Sequence, residues 1–321
     1  MDKKPARIFS LSANKQLAQD IADILGIERV TPTNVFHFAD GETLCESLES
    51  VRDRNCYIIQ STCRPVNENL MEVLIFVDAL KRGSAKTITV VMPYYGYARQ
   101  DRVNKPRQPI SARLVADLLK AAGVDRVVCV DLHAPQIQGF FSCLVDEVTA
   151  IPLLASHFID SVDTDWVTVS PDHGGVNRAR KVAEILNTPI AIIDKRRKRP
   201  NEAEVMNIIG DIKDKHCLMI DDIIDTAGSC IEGAKALLKA GAKDVRIAVS
   251  HGIFSDPAPE RLKEGVFKEI VVTDSICLRE GLEDCNIQVL SLAPMLAKII
   301  QHIEEGEPLT IVYDMFMGEK I

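Results

Sequence analysis

Three carboxylates and four small residues share the stretch Asp221-Asp222-Ile223-Ile224-Asp225-Thr226-Ala227-Gly228-Ser229. An apolar run, residues 217–220, leads into it, and a helical pattern starts near Ser229, so the stretch should join a buried strand to a helix. Ala227 and Gly228 are small enough for backbone N–H groups to converge on an anion, and a helix N-terminus adds its dipole. Thr226 and Ser229 supply hydroxyl donors to the same anion. Carboxylates would repel a phosphate, so Asp221, Asp222 and Asp225 need a different partner, either sugar hydroxyls or a hard cation such as Mg2+. A phosphorylated sugar satisfies both sets. The plainer alternative is a strand–turn–helix whose Asp and Ser residues act as caps. Apolar pairs before and between the acids, followed by Thr-Ala-Gly-Ser, favour the binding loop.

Other residues invite chemistry less specifically. Phe38, Asp40, Gly41 and Glu42 set an aromatic ring that can stack on a purine beside acids that can accept from an amine or a ribose hydroxyl. Taken alone, they also read as a simple turn. Arg99, Gln100, Arg102, Lys105 and Arg107 follow three tyrosines, a basic–aromatic pattern that can bind nucleic acid. No other part of the chain offers a basic face. His133 follows the apolar run 127–132 and Asp172 follows 166–171, one strand-end residue in each half of the chain. A lone histidine there is usually structural, and a hard cation prefers oxygen, which favours Asp172 as a direct ligand. Five consecutive cations occupy residues 195–199. Such a run is ordinarily a solvated loop, but its place between a strand and the next segment suits a mobile clamp over a polyphosphate.

The elements that must hold these residues alternate along the whole chain. Helical spacing appears over 67–82, 110–122, 175–186 and 229–240, and short apolar runs over 56–60, 87–92, 126–132, 166–170, 189–194, 217–221, 244–250 and 269–274. Alternation of this kind predicts α/β domains, each a mainly parallel sheet flanked by helices. Residues 57–93 and 217–252 share one layout of strand, loop, helix, glycine, lysine and strand, which suggests two similar domains over 1–150 and 151–321. A length of 321 residues suits two cores rather than one. The net charge of −8 gives no general attraction to nucleic acid or an anionic membrane. The start of the chain lacks an apolar run of signal-peptide length, and no later run could span a bilayer. The nine cysteines are scattered without a C-x-x-C pair, so a reduced, cytoplasmic protein without structural zinc is expected.

The stretch 221–229 resembles the phosphoribosyl-diphosphate loop of the type I phosphoribosyltransferase fold. The ordered set FADGE, PYYGYARQDR, PISARLVADLL, DLHAPQIQGFF, SPDHGGVNRAR and DKRRKRPNEAEVMNIIGD narrows the resemblance to the ribose-phosphate diphosphokinases. The resemblance implies transfer of the diphosphoryl group of ATP to ribose 5-phosphate. It places Asp40, Gly41, Glu42, Arg99 and Gln100 at ATP, the 40–42 segment serving a neighbouring subunit. It further implies metal positions at His133 and Asp172, Lys195 and Arg197 as the catalytic pair, and Mg2+ as cofactor. A homohexamer inhibited by ADP and activated by inorganic phosphate also follows from it. The chain departs from the family pattern at Ala227, where glycine is frequent, and at Lys198, where proline is common. Residues 278–287 and 312–320 are unusual as well. A phosphoribosyltransferase would share the loop without needing the nucleotide elements or the basic pair. A regulatory, non-catalytic homologue would not need Lys195, Arg197, His133 and Asp172 intact.

Overall fold

The computed structural model describes residues 5–196 and 205–310. The described chain forms two units. One comprises the chain through Thr149 together with Ser275–Cys277 and the described residues from Ser291 onward; the other comprises Ala150–Asp274 and Leu278–Leu290.

The first unit carries β1 (Arg7–Ser10), α1 (Lys15–Ile24), β2 (Thr33–His37), β3 (Thr43–Ser47), β4 (Asn55–Ile59), α2 (Val66–Arg82), β5 (Thr87–Met92), α3 (Ser111–Ala122), β6 (Arg126–Val130) and β7 (Leu144–Val148). Its main sheet is parallel throughout, in the order β1-β4-β5-β6-β7, while β2 and β3 form a separate antiparallel hairpin. Strands covered on both faces need unbroken apolar runs, and β5 and β6 supply them with Ile88, Val90, Val91, Met92, Val127, Val128 and Cys129, all buried. α2 turns Leu70, Val73, Phe76, Val77 and Leu80 to that core, with Phe76 edge-on to Phe9 of β1. α3 ends on Gly123, whose φ of 115° lies where a side chain would be strained.

The second unit carries α4 (Ile151–Ser156), β8 (Trp166–Ser170), α5 (Val176–Leu186), β9 (Ile190–Arg196), β10 (Val205–Ile209), β11 (His216–Ile224), α6 (Gly228–Lys239), β12 (Asp244–Gly252), α7 (Ala258–Leu262), β13 (Glu269–Thr273) and β14 (Ile287–Leu290). The sheet order is β10-β9-β8-β11-β12-β13-β14, parallel except for the antiparallel β9–β10 pair. The strand bearing the acids is longer than its apolar run suggested. Pairing of β11 with β8 stops at Met219, but pairing with β12 continues to Ile224 opposite Gly252. Asp221 and Asp222 therefore lie on the strand, not in the loop beyond it.

The last described helix, α8 (Ala293–Glu305), packs with the first unit rather than with the second half of the chain that precedes it. Its buried stripe, including Leu296, Ile299 and Ile300, needs an apolar partner, and α1 provides one. Polar contacts fix the same attachment. Glu304 Oε1 accepts from Asn55 Nδ2 at 2.8 Å and from the Tyr57 hydroxyl at 2.7 Å. The Ser275 carbonyl accepts from the Asn14 amide and the Ser61 hydroxyl, which draws Ser275–Cys277 into this unit too. Burial, and then the bond to Glu304, raise the Tyr57 phenol well above its ordinary value. Tyr57→Phe removes one bond to a half-buried carboxylate and should cost roughly 1.5–3 kcal/mol. Thermal unfolding should show a midpoint lower by roughly 3–10 °C. An unchanged midpoint would mean that α8 is held by its apolar stripe alone.

Candidate active site

The link between β11 and α6 is only residues 225–227, and its backbone makes the site. Ala227 caps the helix in the left-handed region, at φ 59° and ψ −2°. For a residue with a Cβ this conformation costs roughly 1–2 kcal/mol, and it turns successive N–H groups toward one side. The first N–H groups of α6 have no partner within the helix, and the dipole favours an anion there. Thr226 and Ser229 are exposed, and neither side chain bonds to another described residue. Gly228 admits a close neighbour: an added Cβ would come within 2.9 Å of Arg261 Nη1.

The acids sit beside this cradle on the stretch of β11 that β8 no longer covers. Asp222 is buried, Asp221 is half-buried, and the Asp222 N–H donates to Asp221 Oδ1 at 2.9 Å. Arg178, in the first turn of α5, lies 3.5 Å from Asp221 and 3.4 Å from Asp222. Burial first, and then the neighbouring Asp222, push the Asp221 carboxyl up to about 7; Arg178 pulls it down. Two adjacent acids on one strand suit a hard cation or a pair of hydroxyl donors. Among the described residues, no group of three or more His, Cys, Asp or Glu side chains is arranged to hold a metal ion.

The loop after β8 and the last residues of β9 stand at the same edge of the sheet, since the two strands run parallel. Asp172 is exposed and caps the loop before α5 by accepting the Gly175 N–H at 2.9 Å. His173 Nε2 lies 2.9 Å from Asp194, a buried carboxylate on β9 just before Lys195. The backbone of Lys195 belongs to β9, paired with Met206 of β10. Arg197 and Lys198 lie outside the described residues, as do residues 312–320.

In the first unit, the segment around Asp40 is the tip of the β2–β3 hairpin, so its reading as a turn holds. The Phe38 N–H donates to the Glu42 carbonyl at 2.8 Å, Gly41 adopts φ 93°, and Asp40 Oδ1 accepts the Glu42 N–H at 3.1 Å. The ring of Phe38 is exposed and packs edge-on against Phe36, 5.1 Å between centroids. Arg99 and Gln100 are exposed on the loop after β5. That loop is anchored at Gly96, whose N–H donates to Thr62 Oγ1 at 2.7 Å and where any Cβ would meet the Thr62 carbonyl. Gln100 accepts from the Ser111 hydroxyl at 2.6 Å. His133 does not end a strand: β6 stops at Val130, and His133 is exposed just before a 3-10 turn over Pro135–Phe140. A cavity of about 350 Å³ in this unit, lined by His37, Arg64, Glu68 and Glu72 among others, contains none of the residues singled out from the sequence.

Sequence reasoning missed three residues here: Arg178, His173 and Arg261. The first two fall inside the SPDHGGVNRAR segment, where an arginine in the first turn of a helix, against the macrodipole, was an available signal. Arg261 carries no local signal.

Residues 6–123 match the model for the N-terminal domain of ribose phosphate pyrophosphokinase, and residues 146–283 match the phosphoribosyl transferase domain. A ribose-phosphate pyrophosphokinase from Bacillus subtilis (strain 168) is 52% identical over 310 residues, covering 97% of this chain and 98% of that relative. One from Caldanaerobacter subterraneus is 53% identical over 301 residues, covering 94% and 95%. The crystal structure of phosphoribosylpyrophosphate synthetase from Mycobacterium smegmatis superposes with a TM-score of 0.88 at 45% identity, covering 94% of this chain and 100% of that one. Both halves of the chain thus match along their length, and it belongs to the ribose-phosphate pyrophosphokinase family.

Proposed function

We propose that the chain makes 5-phosphoribosyl 1-diphosphate and AMP from ATP and ribose 5-phosphate, with the diphosphoryl group passing as one unit to the C1 hydroxyl. The observation that carries this reading is the abrupt change from β11 to α6, which leaves N–H groups and the Thr226 and Ser229 hydroxyls beside a carboxylate pair. The loop over residues 225–229 (Asp225, Thr226, Ala227, Gly228, Ser229) holds the 5-phosphate through its backbone N–H groups and the Thr226 and Ser229 hydroxyls, with the Asp225 carboxylate left to a ribose hydroxyl. Asp221 and Asp222 accept from the ribose hydroxyls, directly or through Mg2+, and Arg178 orients the pair. The anchored sugar then presents its C1 hydroxyl to the nucleotide. Phe38, Asp40, Gly41 and Glu42 at the hairpin tip, with Arg99 and Gln100, take the adenosine part of ATP. Lys195 and Arg197 offset charge developing on the transferred group; in such transfers positioning and charge stabilisation dominate.

Asp172 in the second unit would be a direct oxygen ligand of Mg2+, His133 in the first unit is a second metal position of this reading, and the metal would supply charge neutralisation on the ATP phosphate oxygens. The hairpin exposes Phe36, Phe38, Leu44 and Leu48, and α3 exposes Leu114 and Leu118 one turn apart, below Ile110. Apolar patches of this kind favour burial against further copies of the chain, in line with a homohexamer in which 40–42 serves a neighbour. Inhibition by ADP and activation by inorganic phosphate complete the reading. So does a reducing, cytoplasmic location, which the nine free thiols support.

Phosphorus NMR of protein with ATP, ribose 5-phosphate and Mg2+ should show AMP and an intact diphosphate on C1 in equal amounts. ADP with a sugar 1-monophosphate would sink the proposal, and consumption of added phosphoribosyl diphosphate with a nucleobase would favour a transferase.

Lys195→Ala and Arg197→Ala should each lower turnover by about 10²- to 10³-fold, the usual cost of losing one preorganised donor, with little change in ribose 5-phosphate binding. Parental turnover in both variants would remove the basic segment from the mechanism.

The Asp221 carboxyl, at about 7 in the fold against an ordinary 3.8, keeps its proton longer in the folded than in the unfolded chain. Its contribution to stability is therefore present at low pH and is lost as the pH rises from 3.8 through about 7. In metal-free buffer Asp221→Asn should melt above the parent at pH 8, with the gap closing toward pH 5, while binding ribose 5-phosphate more weakly. Equal melting at both pH values would show that the pair is already neutralised by the protein.

A further inference from the structure

Arg261 stands outside both the acid pair and the phosphate loop, yet its side chain reaches the loop's backbone. Arg261 Nη1 donates to the Thr226 carbonyl at 2.9 Å. The would-be Cβ of Gly228 lies 2.9 Å from Nη1 and 3.6 Å from Cζ, so the guanidinium lies against the first residue of α6. Neighbouring cations have acids: Arg279 pairs with Asp256 at 3.0 Å, and Lys263 with Asp284 at 3.6 Å. Arg261 pairs with no acid among the described residues. A cation beside the positive end of a helix is unfavourable unless it does something there.

A trans peptide is planar, with its C=O and N–H pointing in opposite directions. Fixing the Thr226 carbonyl on Arg261 therefore aims the Ala227 N–H the other way. Rotation of that one peptide unit would change ψ of Thr226 and φ of Ala227 together. It would relieve the left-handed conformation at Ala227, φ 59°, and turn its N–H out of the cradle. Glycine at this position would have no such incentive to rotate; alanine has.

We infer that Arg261 is a positioning residue for the 5-phosphate: it locks the Thr226–Ala227 peptide against a flip that alanine at 227 would otherwise favour. The inference rests on reading residues 225–229 as the phosphate cradle. Arg261 acts through the peptide and does not touch the reacting atoms.

Steady-state kinetics on the intact protein tests it. Arg261→Gln should raise the KM for ribose 5-phosphate about tenfold, which is about 1.4 kcal/mol, with kcat and the KM for ATP within about twofold of the parent. Adding Ala227→Gly to Arg261→Gln should return the KM to within about threefold of the parent, because glycine holds the positive φ without help. A purely structural role for Arg261 would not be rescued in this way. An unchanged KM in Arg261→Gln, or a raised KM that Ala227→Gly leaves in place, overturns the inference. Circular dichroism establishes folding. Should Arg261→Gln not fold, Arg261→Lys is read instead, with a smaller rise that Ala227→Gly again recovers and a parental KM counting against the lock. Calorimetry of the parent with ribose 5-phosphate separates the two claims, since no binding there refutes the cradle itself, whatever Arg261 does.

Discussion

Everything at the candidate site follows from one pairing: β11 stays hydrogen-bonded to β12 after its other neighbour, β8, has ended. The ladder to β8 closes at Met219, while the ladder to β12 runs on to Ile224 opposite Gly252. A strand continued on one side only keeps its backbone rigid and opens its other edge. Acids placed there are fixed by a sheet, not by a loop, and Asp221 remains half-exposed. If β11 had stopped where its apolar run stops, Asp221 and Asp222 would sit on flexible chain. Their carboxylates would then be solvated and free to move.

That placement has an electrostatic cost. Asp222 is buried beside a half-buried Asp221, and Arg178 faces both at 3.4 and 3.5 Å. Ala227 adds a strained backbone at the next turn. The remainder of the unit can bear this because it is conventionally well packed: every residue of β8 is buried, as are Cys217 to Ile220 of β11 and Val245 and Ile247 to Val249 of β12. Strain and buried charge gather where the sheet ends, and the apolar burial that offsets them lies one or two residues away on the same strands.

Much of this was legible in the sequence because it is local. Period-3.6 patterns marked α2, α3, α5 and α6, and unbroken apolar runs marked the covered strands. The T-A-G-S run announced a backbone that had to come close to something. The misreadings concern long-range choices. No local signal says that β12 outlasts β8, so the acids looked like loop residues. The allegiance of α8 depends on Asn55, Tyr57 and α1, more than two hundred positions earlier. Arg178, His173 and Arg261 each act on a residue 21 to 44 positions away, and a cation or histidine on a helix or loop shows only its own neighbourhood. His133 was placed at a strand end because the apolar run outlasted β6 by two residues.

The internal repeat shows how the same construction can leave hydrogen-bonding groups open in one copy of the strand-to-helix link and not in the other. β4–α2–β5 and β11–α6–β12 are the same construction, a strand, a short link, a helix and a parallel return. In the first, the residues that directly follow the strand are spent on the protein. Gln60, Ser61 and Thr62 are fully buried; Gln60 Nε2 donates to Asn69 and Glu72, Ser61 N–H to Asn14, and Thr62 N–H to the Tyr94 carbonyl. Backbone and side-chain groups consumed in this way cannot receive a ligand. In the second, Thr226 and Ser229 face solvent, and neither hydroxyl is committed to a described residue. The two copies differ less in fold than in how many hydrogen-bonding groups are left over once folding is complete. A parallel α/β unit becomes a binding site where its strand-to-helix link leaves such groups unspent, and a structural joint where it does not.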